Sequence, residues 1–519
     1  MKTRKMGPRL LLAAALLALA ASFPSADAVE SFSRPIMDLS HVLRRAGFSG
    51  RAQSTLEARL GRPIDPALTD LGRNIFFDNI MGLHRDNSCA GCHSPAFGLG
   101  DTQSMAIGTD NNGIVGPDRT GPRNQRRAPS TANTAFYPGM MLNTRFTSFT
   151  DDPFDLSLGA SVPFFIGGDT VWNPASACFY GTCFDPTKMT TLLSVQGHFP
   201  STELVEMAGF CADNPDDIDP QCYHPPHLVS SGVFADTVPG AIPGPNGDPT
   251  DSTDMGYAIR QKVLDRFNST PEYINRFTAI YPEAAGGNVT FAMIGAALAE
   301  FQVANTFADS PLDRFARGDR DALKPAEVRG AMTFFTKGQC VSCHAVAGRA
   351  SEMFSDFENH VAGVPPIAPK GFGLKPGGDP MNPEDFPGNF LFSGPNADED
   401  FGREEVTGDS ADRYKFRTSP LRNLAVQPSF FHNGAFTRLE DALRYHLNTP
   451  GMARGYDPVA AGLDADLTVR RGPHEPILQR LDPGIAALSQ IKLTDQEFED
   501  LVAFLRAGLL DDRATPGNL

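Results

Sequence analysis

Past residue 28 the sequence has no uninterrupted run of about 18 apolar residues, the length a bilayer-spanning helix requires, so no membrane span is expected there. Basic residues are scarce: 45 Lys and Arg stand against 61 Asp and Glu, for a net charge of −16. So acidic a chain is a poor partner for nucleic acid or for an anionic membrane. Tryptophan is nearly missing, Trp172 being the only one. Long helical bundles are excluded by 49 glycines and 43 prolines, which predict short helices and many loops.

What is present begins with a leader. Lys2, Arg4, Lys5 and Arg9 precede an apolar run from Leu10 to Ala21, and Ala26-Asp27-Ala28 offers a small-residue cleavage pattern. Residues 1–28 therefore read as a secretory signal peptide, with the periplasm as the expected compartment. The 519 residues allow two to four domains.

Two short runs organise the rest: Cys89-Ala90-Gly91-Cys92-His93 and Cys340-Val341-Ser342-Cys343-His344. In a Cys-x-x-Cys-His run two thiols one turn apart add to the vinyl groups of one porphyrin, and the adjacent imidazole ligates its iron. Zinc would need more Cys or His nearby, and a redox dithiol would not require the His in both copies. Two covalently bound haem c groups are expected, on Cys89, Cys92 and His93 and on Cys340, Cys343 and His344. The other four cysteines fall as Cys178/Cys183 and Cys211/Cys222, which an oxidising compartment predicts as two local disulfides, with free buried thiols as the alternative.

The apolar spacing predicts helix over 57–78, leading into the first motif, and an amphipathic helix over 289–307 bridging two haem domains. Pro325-Ala326-Glu327 opens a helix that runs to the second motif, and Thr494-Asp495-Gln496-Glu497 is a capping box for a last helix. Residues 210–253 have no period and read as loop; His224 and His227 there are expected to face solvent.

Around the two motifs stand, in order, Leu71-Gly72-Arg73, Ala128-Pro129-Ser130 with Asn133, Leu204-Val205-Glu206-Met207, Ser310-Pro311-Leu312-Asp313-Arg314, Gly402-Arg403-Glu404-Glu405, Leu421-Arg422-Asn423 and Phe431-His432-Asn433-Gly434. In this order the chain resembles the bacterial di-haem cytochrome c peroxidase family, which includes the MauG-like enzymes. The resemblance implies a mainly α fold of two cytochrome c-like haem domains, 29–305 and 306–519, with a loop-rich insertion at about 150–255 in the first. It implies reduction of hydrogen peroxide to water at the first haem, with electrons from a small redox protein, cytochrome c or cupredoxin, entering at the second; a homodimer is compatible with it. Two alternatives stand beside it: a MauG-like oxidase or oxygenase of a protein or organic substrate, and a non-catalytic electron-transfer cytochrome.

The same resemblance assigns catalytic roles to Gln196 and Glu206, ten residues apart as in the family. Heterolysis of peroxide moves a proton from its inner to its outer oxygen, which a carboxylate within hydrogen-bond reach performs as base and then acid. The loop 94–121 has no His, so no imidazole from it closes the first haem, which is expected to stay five-coordinate. Counting from His432 places the second haem's other ligand at His446, with Tyr445 as the competing choice; His344 and His446 together predict a low-spin haem. Where the family often has a Trp between the haems this chain has Leu142, in Met141-Leu142-Asn143-Thr144-Arg145. At a family calcium site the expected Asn is Arg127, and only carbonyls near Gln427 and Ser429 carry over.

Overall fold

The computed structural model describes residues 38–109, 111–161, 187–208, 254–369, 398–470 and 472–519, with short pieces at 171–172, 178–179, 182–183, 185 and 393–394. The expected signal peptide, Cys211, Cys222, His224 and His227 lie outside these residues, as do the side chains of Trp172, Cys178 and Cys183. The chain is mainly α, with strands of two or three residues, the longest sheet being the antiparallel set Gly139–Met140, Phe146–Ser148, Ala160–Ser161 and Val171–Trp172. Among the described residues no helix is long and apolar enough to cross a membrane.

Two helix pairs set the frame. Helix α1 (Pro66–Phe77) starts where Asp65 accepts from the Ala67 and Leu68 amides and Pro66 fills the first position, whose N–H would have no partner. It buries Leu68, Leu71, Ile75 and Phe76 and ends at Asp78, just before the first motif. Its partner, α4 (Phe291–Ala304), is capped by the Thr290 hydroxyl. In the second pair α5 (Pro325–Phe335) leads to the second motif and packs on α7 (Asp495–Ala503), whose Thr494/Glu497 capping box is formed. Both contacts run through a glycine. A β-carbon on Gly72 would stand 1.9 Å from the Ala297 carbonyl oxygen, and one on Gly330 1.9 Å from that of Asp500. Only glycine lets these backbones approach so closely.

The helix expected to be amphipathic is not. From Phe291 to Val303 every residue of α4 is buried, because α1, α3 (Leu192–Gln196) and the turn Thr134–Phe136 pack around it. Its one carboxylate, Glu300, is held by both Arg62 guanidinium nitrogens at 2.6 and 2.7 Å and by the Asp65 amide at 2.7 Å, which offsets the desolvation of the charge. The helical stretch expected over 57–78 is two helices, Ala52–Leu60 and α1, separated where Gly61 turns left-handed ahead of Pro63.

Leu68, Ile75, Phe76, Phe277, Ile294 and Leu298 make a core beside the first motif, and Phe315, Val328, Phe334, Phe354, Leu501 and Phe504 one beside the second. Leu39, Leu43 and Phe48, early in the chain, belong to the second core. They are tied there by Glu352, whose carboxylate accepts from the Ser49, Gly50, Arg51 and Ala52 amides. Asp313 and Arg422 form a fully buried bidentate pair at 2.7 and 2.9 Å, with Ser310 donating to the same carboxylate. The recurrent motifs at 310–314 and 421–423 thus hold one another.

Candidate active site

Cys89 and Cys92 stand at the ends of the one-turn helix α2 (Cys89–Cys92), and His93 follows at its C-terminus. A carbonyl only accepts, so the contact of His93 Nδ1 with the Pro129 oxygen at 3.0 Å fixes the proton on Nδ1. Nε2 is left with its lone pair, and burial pushes the imidazole pKa down to about 4, keeping it neutral. His93 lines a cavity together with Gln196, Glu206, Asn143, Arg145 and Gln302.

Gln196 ends α3, which Thr191 and Ser194 cap reciprocally. Glu206 lies in a π-helical turn, Leu204–Ala208, in which the amides of Glu206, Met207 and Ala208 all reach the Glu203 carbonyl, at 3.2, 3.0 and 2.9 Å. The residues flanking the first motif grip that turn: Asn87 Nδ2 donates to the Glu206 carbonyl at 2.7 Å and the Thr109 amide to that of Val205 at 3.1 Å. Gly108 lies against it where a β-carbon would meet the Val205 oxygen at 2.0 Å. The Glu206 carboxylate faces the cavity with Asn124 Nδ2 3.5 Å from Oε1. Burial raises its pKa to about 7, with Arg145 opposing the shift. Among the described residues His93 is the only histidine lining this cavity; Met140, Met141 and Met207 line it too, and Asn87 Nδ2 lies 3.8 Å from the Met207 sulfur. Met105, from the loop after the motif, is buried in the other core.

The second cavity repeats the motif side. His344 Nδ1 donates to the Phe354 carbonyl at 3.0 Å, and burial, helped by His446 nearby, lowers the His344 pKa to about 4. His446, at the end of α6 (Leu439–His446), lines the same cavity, its Nδ1 donating to the Ala442 carbonyl at 2.8 Å. Both imidazoles thus keep Nε2 for a metal. Tyr445 turns away: it is fully buried against Phe431 and Phe436, its hydroxyl donates to the Gly363 carbonyl at 2.5 Å, and it does not line the cavity. His432 lines it, stacked on Phe416 with ring centres 3.6 Å apart.

Arg127, Pro129, Tyr137, Leu142 and Arg417 line both cavities. Arg127 and Arg417 have no carboxylate partner among the described residues, and burial lowers both pKa values to about 10. Arg417 Nε bonds only the Met141 carbonyl, Arg127 Nε is buried without a partner, and so are both amide atoms of fully buried Asn143. Unpaired buried cations and amides are expensive. The propionate carboxylates of a porphyrin are what such groups would bind, so the donor set fits a haem in each cavity. It does not fit calcium: the Arg127 guanidinium already donates to the Ser429 carbonyl and, at 2.6 Å, to Gln427 Oε1. That fixed cation occupies the groups a calcium ion would need.

The geometry agrees with what the sequence matches. A family model, "Di-haem cytochrome c peroxidase", fits residues 66–216 and 235–321. Over that span the chain is similar to the di-haem cytochrome c peroxidase family. It is 28% identical over 187 residues to cytochrome c551 peroxidase of Pseudomonas aeruginosa, covering 36% of this chain and 45% of that protein. It is 30% identical over 209 residues to the methylamine utilization protein MauG of Paracoccus denitrificans, covering 37% and 47%. The chain thus spans about half the length of these curated relatives. The crystal structure of the diheme peroxidase BthA from Burkholderia thailandensis superposes with a TM-score of 0.50 at 19% identity over 87% of this chain and 88% of the other, a likeness of fold alone. The family implies haem as cofactor.

The site therefore brings Cys89, Cys92, His93, Gln196 and Glu206 to one cavity and Cys340, Cys343, His344 and His446 to the other. Sequence reasoning passed over Asn143, Arg145, Tyr137 and Arg417. The first two sit in the quoted run at 141–145, one and three residues from the Leu142 that drew notice; nothing local marks the other two.

Proposed function

We propose that this chain is a periplasmic peroxidase with two covalent haems, reducing hydrogen peroxide to water with electrons from a small redox protein such as a cytochrome c or cupredoxin. The export signal is 1–28, and the two haem domains are 29–305 and 306–519, the first carrying the insertion at about 150–255 and lending its early segment, Leu39 to Phe48, to the core of the second. One observation carries the reading: one cavity is lined by an imidazole together with a carboxylate and an amide, the other by two imidazoles.

Haem supplies the iron that activates peroxide in the first cavity and a one-electron store in the second. The protein's share in the first is acid–base work. Glu206, with a pKa near neutrality, takes the proton from the inner peroxide oxygen and returns it to the outer one as the O–O bond breaks. Gln196 orients the peroxide, and Arg145 favours the charged form of Glu206. In the second cavity His344 and His446 would both hold the group, their Nδ1 protons being engaged by backbone carbonyls and each Nε2 left for a metal. Two electrons from the donor and two protons from solvent complete each turnover, giving two waters per peroxide. The test is peroxide consumption by the purified two-haem protein with a reduced cytochrome c or cupredoxin. The proposal expects two one-electron donors oxidised per peroxide, and no consumption with any such donor contradicts it.

A further inference from the structure

The peroxidase reading requires electrons to pass from the second cavity to the first. Among the described residues the two linings share one aromatic side chain, Tyr137. Leu142 shares the wall but has no π orbitals to couple the two sides. We infer that the Tyr137 ring is the electronic bridge between the cavities, passing single electrons by tunnelling with its O–H bond intact throughout.

The ring is held for this. It is buried, with the Phe357 ring centre 5.2 Å away and the Arg417 guanidinium over its face at 5.4 Å. Its hydroxyl donates to the Ala132 carbonyl at 3.3 Å, in the segment whose Pro129 carbonyl holds His93. The ring is therefore fixed to the strand of backbone that positions the first imidazole.

The same surroundings argue against a tyrosyl radical. A neutral radical requires the phenol proton to go to a base, and the hydroxyl's partner is a backbone carbonyl, which takes no proton. A radical cation on the ring is opposed by the guanidinium above it. Burial also raises the phenol pKa to about 12. The balance is then simple: one electron leaves the haem of the second cavity, one arrives at that of the first, and Tyr137 ends as it began.

The inference rests on the peroxidase reading, and one experiment separates the two. The fully reduced two-haem protein, without donor, is mixed with hydrogen peroxide in a stopped-flow spectrometer, and the two haems are followed separately. A first haem that ignores peroxide in the parent protein defeats the peroxidase reading itself. If it reacts, Tyr137→Ala and Tyr137→Leu are expected to slow oxidation of the second haem, relative to the first haem's own peroxide step, by about tenfold or more, while the conservative Tyr137→Phe restores transfer to within about threefold of the parent. The leucine variant fills the site should the alanine variant fail to fold. Unslowed transfer in either truncation overturns the bridge. So does a Phe variant as slow as leucine, or a tyrosyl radical signal lost in Tyr137→Phe, since each puts the phenol proton in the path.

Discussion

In the first cavity His93 is joined by Gln196 and Glu206; in the second His344 is joined by His446. The side that carries the motif is the same in both: a glycine-notched helix pair, a Cys-x-x-Cys-His turn, and an imidazole whose Nδ1 proton is held by a distant backbone carbonyl 3.0 Å away. The difference lies in what else the chain brings to each cavity. A π-helical turn delivers a carboxylate to one, and the end of an α-helix delivers an imidazole to the other. On the proposed reading, the first cavity serves peroxide chemistry and the second stores electrons.

Removing the carboxylate is the strongest way to break the contrast. Glu206→Gln is expected to lower peroxide turnover about 10²–10⁴-fold, the worth of a positioned acid–base group, with both haems still attached by haem staining. Loss of the buried pair in the second half comes next: Asp313→Ala leaves Arg422 charged and buried, and urea unfolding should show about 3–5 kcal/mol less stability.

Smaller changes sharpen the comparison. In the proposed peroxidase, turnover should rise with pH along a limb near 7, because burial lifts Glu206 to about 7 and its base form exists only above that value. The limb should vanish in Glu206→Gln. His446→Met should raise the reduction potential of the second haem alone, since thioether donates less than imidazole to the oxidised iron, whereas Tyr445→Phe should leave the spectrum of that haem unchanged. Smallest of all, chelation of calcium should leave the melting temperature where it was, because Arg127 supplies the cation at that place; a fall on adding chelator would contradict this.

How much of this was legible depended on how local each device is. Cys89, Cys92 and His93 could be read because haem attachment needs only five consecutive residues, and the Thr494/Glu497 cap because it spans four. Gln196 and Glu206 have no local signature; only their order among other motifs marked them. The carbonyls of Pro129 and Phe354 that set each imidazole are 36 and 10 residues from their histidines, and the peptide oxygen they offer is the same at every position. The all-round burial of Phe291–Val303 was hidden because Glu300, Gln302 and Asn305 look like a solvent face, until Arg62 is seen to pair with Glu300. Tyr137 was likewise silent, since facing two cavities at once is a property of the folded chain.

The contrast between the cavities is tested most directly by electron paramagnetic resonance of the resting, fully oxidised protein, followed by addition of peroxide. The account predicts one high-spin haem that responds to peroxide and one low-spin, bis-imidazole haem that does not bind it. Two low-spin haems, neither changed by peroxide at rest or after reduction, would contradict it and make the chain an electron carrier.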